Sequence, residues 1–324
     1  GGSVANLTAL LAARGALCPE AWRDGVPGRL AILAPPSSHY SVQRAAGILG
    51  LGTGAVVPLP ADEWGVVRAG DIAAAADRVR DDGMRCMAIV ANACATATGL
   101  HDPLRAMGEY CRSEGIWFHV DACHGATALL GRESRRFLDG IELADSVVWD
   151  THKMMQVPTL CAAVLFRNSG SFDAAFRQEA SYLAYGADRD AYDSLPRALE
   201  CTKAALGLKV FMNLAWRGER ALGNYVDERY AITRRFRRIA LSRPGFDAPY
   251  EPESNILCLR FGDDDALQES IRRGLMVDGE FHLSSALLGG RRYLRITVMN
   301  ALTDETVFTA LLDAIERRAA QGIE

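Results

Sequence analysis

The sequence predicts an α/β protein with a mainly parallel sheet covered by helices, followed by a small C-terminal α+β domain. Over the first two thirds of the 324 residues, short continuous apolar segments alternate with helical ones. This pattern is typical of parallel strands that are buried on both faces. In the last third, a long helical region precedes a mixture of strands and helices. We therefore expect a large domain over 1–208 and a small domain with its linking helix over 209–324.

The elements of the large domain follow from the spacing of apolar residues. The segment "SVANLTALLAAR" has a helix-forming composition and an apolar face, whereas "RLAILAP" and "CMAIVAN" are short apolar runs typical of buried strands. Helices are predicted over 3–14, 39–50, 69–82 and 103–114. Strands are predicted over 29–35, 55–60, 86–92, 116–122, 145–150 and 160–166.

The small domain is predicted to follow a long helix over about 197–241, interrupted near Gly218 and Gly223, because glycine weakens helices. Strands are predicted over 255–261 and 292–299, and helices are predicted to begin near 265 and 303.

Composition and charge exclude several classes of protein. The chain is 49% hydrophobic and 23% charged with a net charge of −4, and it lacks a long basic run, so no nucleic-acid partner is expected. No apolar stretch reaches the roughly 18 residues that a membrane span needs. Eight scattered cysteines without a C-x-x-C pair predict reduced thiols and no metal site. These features favour a cytoplasmic enzyme.

Polar residues follow several predicted strands. Asp121 ends one strand, Asp150 ends another directly before His152 and Lys153, and His39 follows a third. Ligands of open α/β sheets bind beyond the carboxyl ends of the strands. These side chains are therefore the candidates for a common site.

Lys153 is the most unusual of these residues. Of 36 basic residues only three are lysines, at 153, 203 and 209, and Lys153 lies between apolar segments where a charge loses its solvation. The chain also opens with Gly-Gly-Ser before a helix, which is a potential anion site. Lysine, carboxylate, histidine and a phosphate cradle are the groups that pyridoxal 5′-phosphate (PLP) requires.

Structural explanations remain open for single residues in this set. His39 could make a local hydrogen bond at a helix start, and Asp121 could cap the next turn. Arg295, in a predicted strand, could pair with a core carboxylate.

Several segments together resemble the group II PLP-dependent amino-acid decarboxylases, which include glutamate, cysteine sulfinate, aromatic amino-acid and 2,4-diaminobutyrate decarboxylases. Their order and spacing, including 32 residues from Asp121 to Lys153, make the resemblance specific. The segments are "GGSVANLTALLAAR", "SSHYSVQRAAGILG", "ANACATATGLHDPL", "WFHVDACHGATALL", "ADSVVWDTHKMM", "RALECTK" and "YLRITVMN". The resemblance implies the PLP-dependent transferase fold (fold type I).

The resemblance also implies roles for individual residues. Lys153 would be the Schiff-base lysine, Asp121 the partner of the pyridine nitrogen, and His39 the histidine stacked on the ring. Arg295 would bind the substrate α-carboxylate as a two-pronged fork, and Tyr192 or Tyr185 would protonate Cα. The other expected cofactor contacts are Gly2, Ser3, Thr96, Ala122, Asp150 and His152.

Some positions depart from the family pattern. The segment "CAT" over 94–96 stands where relatives commonly have Gly-Thr-Thr, and Asp150 and Thr151 replace the frequent Asn and Pro. An Asp near a phosphate would repel it unless a donor intervenes. Relatives also carry a long segment before the phosphate loop, so we expect upstream residues that help to build the dimer and contact the substrate.

We expect decarboxylation of an acidic L-amino acid, such as glutamate, aspartate or cysteine sulfinate, in a homodimer with active sites at the subunit interface. The alternatives are a diamino or aromatic amino-acid substrate, another PLP reaction such as oxidative deamination, or a catalytically incomplete subunit.

Overall fold

The computed structural model describes residues 1–176 and 198–322, and the elements below belong to these ranges. The helices are α1 (Gly2–Leu17), α2 (Ala21–Asp24), α3 (Ser41–Ile48), α4 (Ile72–Asp81), α5 (Leu104–Glu114), α6 (Gly170–Ala175), α7 (Leu206–Leu241), α8 (Asp265–Val277) and α9 (Glu305–Gln321). The strands are β1 (Leu30–Ala34), β2 (Val56–Pro58), β3 (Arg85–Asn92), β4 (Trp117–Asp121), β5 (Ser146–Trp149), β6 (Ala163–Phe166), β7 (Phe246–Asp247), β8 (Ile256–Phe261), β9 (Ser284–Leu288) and β10 (Arg291–Thr297).

The larger sheet has six strands in the order β2-β1-β3-β4-β5-β6. The first five are parallel, and β6 runs antiparallel to β5. One face of the sheet packs on Leu10 of α1, and the opposite face packs on Met107 of α5. The predicted fold class, a mainly parallel sheet covered by helices, is confirmed.

The smaller sheet is antiparallel, with four strands in the order β7-β8-β10-β9. The helices α7, α8 and α9 cover it, and Phe236 stacks on Phe308 with ring centroids 4.3 Å apart. Strands β9 and β10 are joined by Gly289 and Gly290, whose φ angles of 54° and 80° suit a tight hairpin turn. Strand β9 was not predicted.

The long helix α7 begins at Leu206 rather than near residue 197, and it crosses the predicted domain boundary between 208 and 209. Its backbone leaves the helical conformation at Gly218, where φ is 74°. Gly223 stays helical instead, and glycine is required there because a Cβ would lie 2.2 Å from the Leu130 carbonyl oxygen. Within the described ranges, no helix combines the length and apolar content needed to cross a bilayer.

Candidate active site

A cavity of about 300 Å³ lies where the carboxyl ends of β3, β4 and β5 meet the first turn of α1. It brings together eight of the residues proposed from the sequence: Gly2, Ser3, His39, Thr96, Asp121, Asp150, His152 and Lys153. Strands β3, β4 and β5 are parallel neighbours, so their last residues converge at one edge of the sheet. Tyr192 and Tyr185 lie outside the described residues.

Lys153 is paired with Asp150 at the bottom of this cavity. Its Nζ atom lies 3.0 Å from Oδ2 of Asp150, which is only 4% exposed. Burial lowers the pKa of Lys153, but the neighbouring Cys123 and Asp150 outweigh it and raise that pKa overall. The other carboxylate atom of Asp150, Oδ1, is buried without a hydrogen-bond partner in the described parts of the chain.

The first turn of α1 lies against this carboxylate. A Cβ at Gly2 would lie 2.5 Å from Cys123 Sγ and 2.8 Å from Asp150 Oδ2, so only glycine fits there. The free N–H groups of this turn and the helix dipole favour an anion. His152 Nδ1 donates to the Cys161 carbonyl at 2.6 Å, and its Nε2 lies 3.9 Å from Asp150 Oδ2.

Asp121 is 6% exposed and held by two donors. Its Oδ2 accepts a hydrogen bond from Asn6 Nδ2 at 2.8 Å, and Oδ1 accepts one from the Cys123 N–H at 3.2 Å. Burial alone would raise the pKa of Asp121, but the hydrogen bonds from Cys123 and Asn6 and the neighbouring His119 hold it below its usual value. The Asp121 carboxylate therefore caps the following turn, which was the structural alternative to a functional role, and it also lines the cavity.

His39 follows β1 and lines the same cavity. Its Nδ1 lies 2.7 Å from Ser41 Oγ, which is the local hydrogen bond anticipated from the sequence. Burial lowers the pKa of His39, and the charges of Lys153 and Arg44 also lower it, whereas Asp121 and Asp150 raise it. The ring is therefore mainly neutral at neutral pH.

Two of the proposed residues lie outside the cavity lining. Ala122 is fully buried, and its neighbour Cys123 lines the cavity in its place. Arg295 lies next to Thr96, since its Nε donates to the Thr96 carbonyl at 2.9 Å. Its Nη1 donates to Thr297 Oγ1 at 2.9 Å and to Ser284 Oγ at 3.3 Å.

Arg295 has no carboxylate partner among residues 1–176 and 198–322, which removes the structural explanation of a core ion pair. In this arrangement only Nη2 is without a hydrogen-bond partner in those ranges. A two-pronged fork toward a substrate carboxylate therefore requires Arg295 to release Thr96 or its Nη1 partners.

Sequence reasoning did not assign a role to Asn6 or Asn255, and for His124 it indicates only that a residue three positions after Asp121 could line the site. His124 lines the cavity, and its Nε2 lies 2.7 Å from Oδ1 of Asn255, at the start of β8. Burial lowers the pKa of His124 to about 4, so the ring is neutral. A signal for Asn6 was available, because it is a lone amide on the apolar face of α1.

The residues around the cavity fit PLP. A lysine amine, an ionised carboxylate, a neutral histidine and an anion-binding helix terminus that excludes any Cβ surround one space. On a mainly parallel sheet, this set defines the class of PLP-dependent proteins. Residues 1–262 match the model described as the pyridoxal-dependent decarboxylase conserved domain, and the chain belongs to that family, whose cofactor is PLP.

Curated relatives confirm the family resemblance that the sequence shows. Cysteine sulfinic acid decarboxylase of Mus musculus is 32% identical over 267 residues, or 81% of this chain and 54% of that protein. Acidic amino acid decarboxylase GADL1 of Xenopus tropicalis is 32% identical over 264 residues, or 80% of this chain and 52% of that protein. The chain spans about half the length of these curated relatives.

Solved structures show the same fold. The crystal structure of mouse CSAD in apo form is 27% identical with a TM-score of 0.91, over 98% of this chain and 70% of that one. Oryza sativa TDC with PLP and tryptamine has a TM-score of 0.91 over 100% of this chain and 70% of that one. At 22% identity, the second likeness concerns the fold alone.

Proposed function

We propose that this chain carries the cofactor site of a PLP-dependent decarboxylase that acts on an acidic L-amino acid, namely glutamate, aspartate or cysteine sulfinate. The observation that carries the proposal is the single cavity lined by Lys153, Asp121 and His39. The names of the relatives support the acidic substrate, since one refers to cysteine sulfinic acid and another to acidic amino acids.

The chain's own residues divide the work of binding the cofactor. Lys153 would hold the cofactor through its amine, and the Asp121 carboxylate would accept a hydrogen bond from the protonated pyridine nitrogen. Gly2 and Ser3 would provide donors for the phosphate at the start of α1, with His152 lining the same cavity. When bound, PLP supplies an electron sink for the electron pair left on Cα as CO2 departs.

Other residues decide which bond breaks. Arg295 binds the α-carboxylate, and His39 orients that group against the ring, so that the bond to CO2 is aligned for cleavage, a positioning effect. Tyr192 or Tyr185 returns a proton to Cα, which yields the amine. The family resemblance alone supports this role for the two tyrosines.

We further propose a cytoplasmic homodimer with active sites at the subunit interface. An exposed apolar face on the first part of α7 supports this arrangement. Leu208, Phe211, Met212 and Trp216 lie on one side of the helix and are 60%, 64%, 61% and 85% exposed, respectively.

The visible absorption spectrum tests the cofactor assignment. Wild-type protein incubated with PLP is expected to show a bound-cofactor band that Lys153→Ala abolishes, because the covalent attachment is lost. Lys203→Ala is the control, since Lys203 is an exposed lysine paired with Glu200. A band that survives in Lys153→Ala would exclude Lys153 as the attachment site.

Product analysis tests the reaction itself. CO2 and amine release are expected from glutamate, aspartate or cysteine sulfinate and not from diamino or aromatic amino acids. Tyr192→Phe and Tyr185→Phe identify the proton donor, because the variant that lacks it forms amine more slowly. If no amino acid of the panel releases CO2 although the cofactor band is present, decarboxylation is contradicted.

A further inference from the structure

A buried chain of hydrogen bonds runs beneath the cavity and ends at His39. It starts at Trp117 and passes through Ser146, His119, Asn6 and Ser41, with a branch to Asp121. The distances are Trp117 Nε1 to Ser146 Oγ 2.8 Å, Ser146 Oγ to His119 Nδ1 2.8 Å, His119 Nε2 to Asn6 Oδ1 3.0 Å, Asn6 Nδ2 to Asp121 Oδ2 2.8 Å, Asn6 Nδ2 to Ser41 Oγ 2.9 Å, and Ser41 Oγ to His39 Nδ1 2.7 Å.

The branch at Asp121 fixes the orientation of the Asn6 amide. An ionised carboxylate only accepts hydrogen bonds, so the group that faces Asp121 Oδ2 must be the Asn6 NH₂. A flipped amide would place two oxygens 2.8 Å apart in a site where Asn6 is 1% exposed. The NH₂ therefore donates to both Asp121 and Ser41, and Asn6 Oδ1 accepts from His119.

The proton positions on the far side of Asn6 follow from this orientation. His119 must carry its proton on Nε2 to donate to Asn6 Oδ1. Burial lowers the pKa of His119 to about 4, so the ring holds one proton and Nδ1 is an acceptor. The Ser146 hydroxyl donates to His119 Nδ1 and itself accepts from the Trp117 N–H.

The proton positions on the cavity side follow in the same way. The Ser41 backbone N–H donates to His39 Nδ1 at 3.3 Å, which makes this nitrogen an acceptor. Ser41 Oγ accepts from Asn6, and its single hydrogen is free to be donated to the same nitrogen. A neutral His39 that accepts on Nδ1 carries its proton on Nε2. This nitrogen has no hydrogen-bond partner in the described ranges, and the ring lines the cavity.

We propose that Asn6 is a positioning residue that, through one amide, holds Asp121 as an acceptor and fixes His39 as an Nε2–H donor toward the cavity. An N–H donor in that position suits a carboxylate group of the ligand and disfavours a cationic group. The consequence for substrate recognition rests on the proposed function. The proton positions themselves do not.

The test is nitrogen NMR of the full chain with labelled histidines and without cofactor, the His39 signals being assigned by their loss in His39→Gln. His39 is expected in the Nε2–H form. Ser41→Ala is expected to raise the pKa of His39 by roughly half a unit to one unit, because a donor to the neutral ring is lost. The charges around His39, those of Asp121, Lys153, Asp150 and Arg44, are unchanged in this variant.

Two variants distinguish the hydrogen bond from packing. Ser38→Ala removes a neighbouring hydroxyl that is buried without a partner in the described residues, so the pKa of His39 should stay the same. Ser41→Thr keeps the hydroxyl and should restore the wild-type value. A His39 proton on Nδ1 in the wild type would overturn the proposal, as would equal pKa values in Ser41→Ala and Ser38→Ala.

Replacement of Asn6 tests the coupling of the two groups. Asn6→Ala keeps the Ser41 hydroxyl but removes the donor that orients it, so the pKa of His39 is expected to rise by less than in Ser41→Ala. The pKa of Asp121 is also expected to rise, because a hydrogen bond to its carboxylate is lost, and carbon NMR of labelled aspartate measures this. Thr8→Ala, on the same helix, is the control for folding because its hydroxyl donates to the Val4 carbonyl of its own helix. A change at His39 with none at Asp121 would overturn the shared role, and none of these readouts depends on decarboxylation.

Discussion

Asp150 places a carboxylate oxygen 3.0 Å from Lys153 Nζ, against the first turn of α1. A fixed negative charge therefore lies beside the helix terminus that is proposed to bind the cofactor phosphate. It also stabilises the charged form of the lysine whose neutral amine must react. Asp150 would thus oppose both the phosphate binding and the lysine attachment that are proposed for this site.

Asp150→Asn is expected to lower the pKa of Lys153 by about one unit, since an opposite charge within a few ångströms is lost. More of the amine is then neutral at neutral pH, and PLP should attach faster and more tightly. The pH dependence of the attachment rate, followed by the bound-cofactor band, measures this. Asp139→Asn, which breaks a remote exposed ion pair, is the control; slower attachment in Asp150→Asn would contradict the interpretation.

Gly2→Ala should impair cofactor binding severely. The added Cβ would lie 2.5 Å from Cys123 Sγ and 2.8 Å from Asp150 Oδ2, so the first turn of α1 has to move. Such overpacking costs about 1–3 kcal/mol of the free energy of unfolding. PLP titration and urea unfolding measure both effects. Gly207→Ala, where nothing lies within 4 Å of the added Cβ, should bind PLP normally.

His124 makes stability depend on pH. Burial lowers its pKa to about 4 in the folded chain, whereas the ordinary histidine value of 6.5 applies in the unfolded chain, so the unfolded chain binds the proton first on acidification. The wild type should therefore lose about 2 kcal/mol of unfolding free energy between pH 7 and pH 5 through this residue. The His124→Asn variant should lose about 2 kcal/mol less unfolding free energy than the wild type over the same pH interval. Equal losses by urea unfolding would show that His124 is charged in the folded state.

Arg295→Lys should raise KM for the amino acid by about tenfold or more, because a lysine replaces the planar donors with a single ammonium group. The effect on cofactor binding should be small, since Arg295 lies outside the cavity lining. Steady-state kinetics and PLP titration separate the two. Arg291→Lys, on the same strand but in an exposed ion pair with Asp263, should behave as the wild type.

Trp216→Glu should shift the proposed homodimer to a monomer. Trp216 is 85% exposed on the apolar face of α7, and a buried unpaired carboxylate at an interface is costly. Analytical ultracentrifugation over a concentration series measures the shift. Val277→Glu on α8 replaces another side chain that is 85% exposed and should leave the mass unchanged. A Trp216→Glu dimer as stable as the wild type would exclude this face.

The sequence predicted the elements with continuous apolar character and the residues that end them. Strand β3 was predicted over 86–92 and is Arg85–Asn92, because a run buried on both faces has no polar alternation to obscure it. Asp121 and Asp150 were predictable for a related reason, since parallel strands bring their carboxyl ends to one edge.

Other features depend on information that periodicity does not contain. Strand β9 is short and mixed in polarity, and only the Gly-Gly turn at 289–290 indicates its hairpin. The antiparallel direction of β6 follows from its short connection to β5, which contains no crossover helix, whereas the apolar periodicity of a strand does not encode its direction. Contacts such as Asn6 to Asp121 join residues 115 positions apart, so tertiary packing alone creates them.

The break in α7 at Gly218 separates two halves of one helix with different surroundings. Residues 219–241 supply buried side chains such as Val226 and Phe236, whereas the preceding residues turn apolar side chains outward. A φ of 74° is open to glycine and strained for other residues. Gly218 thus sets the direction of residues 206–217 independently of residues 219–241, so one continuous segment of chain can serve both the interior and the surface.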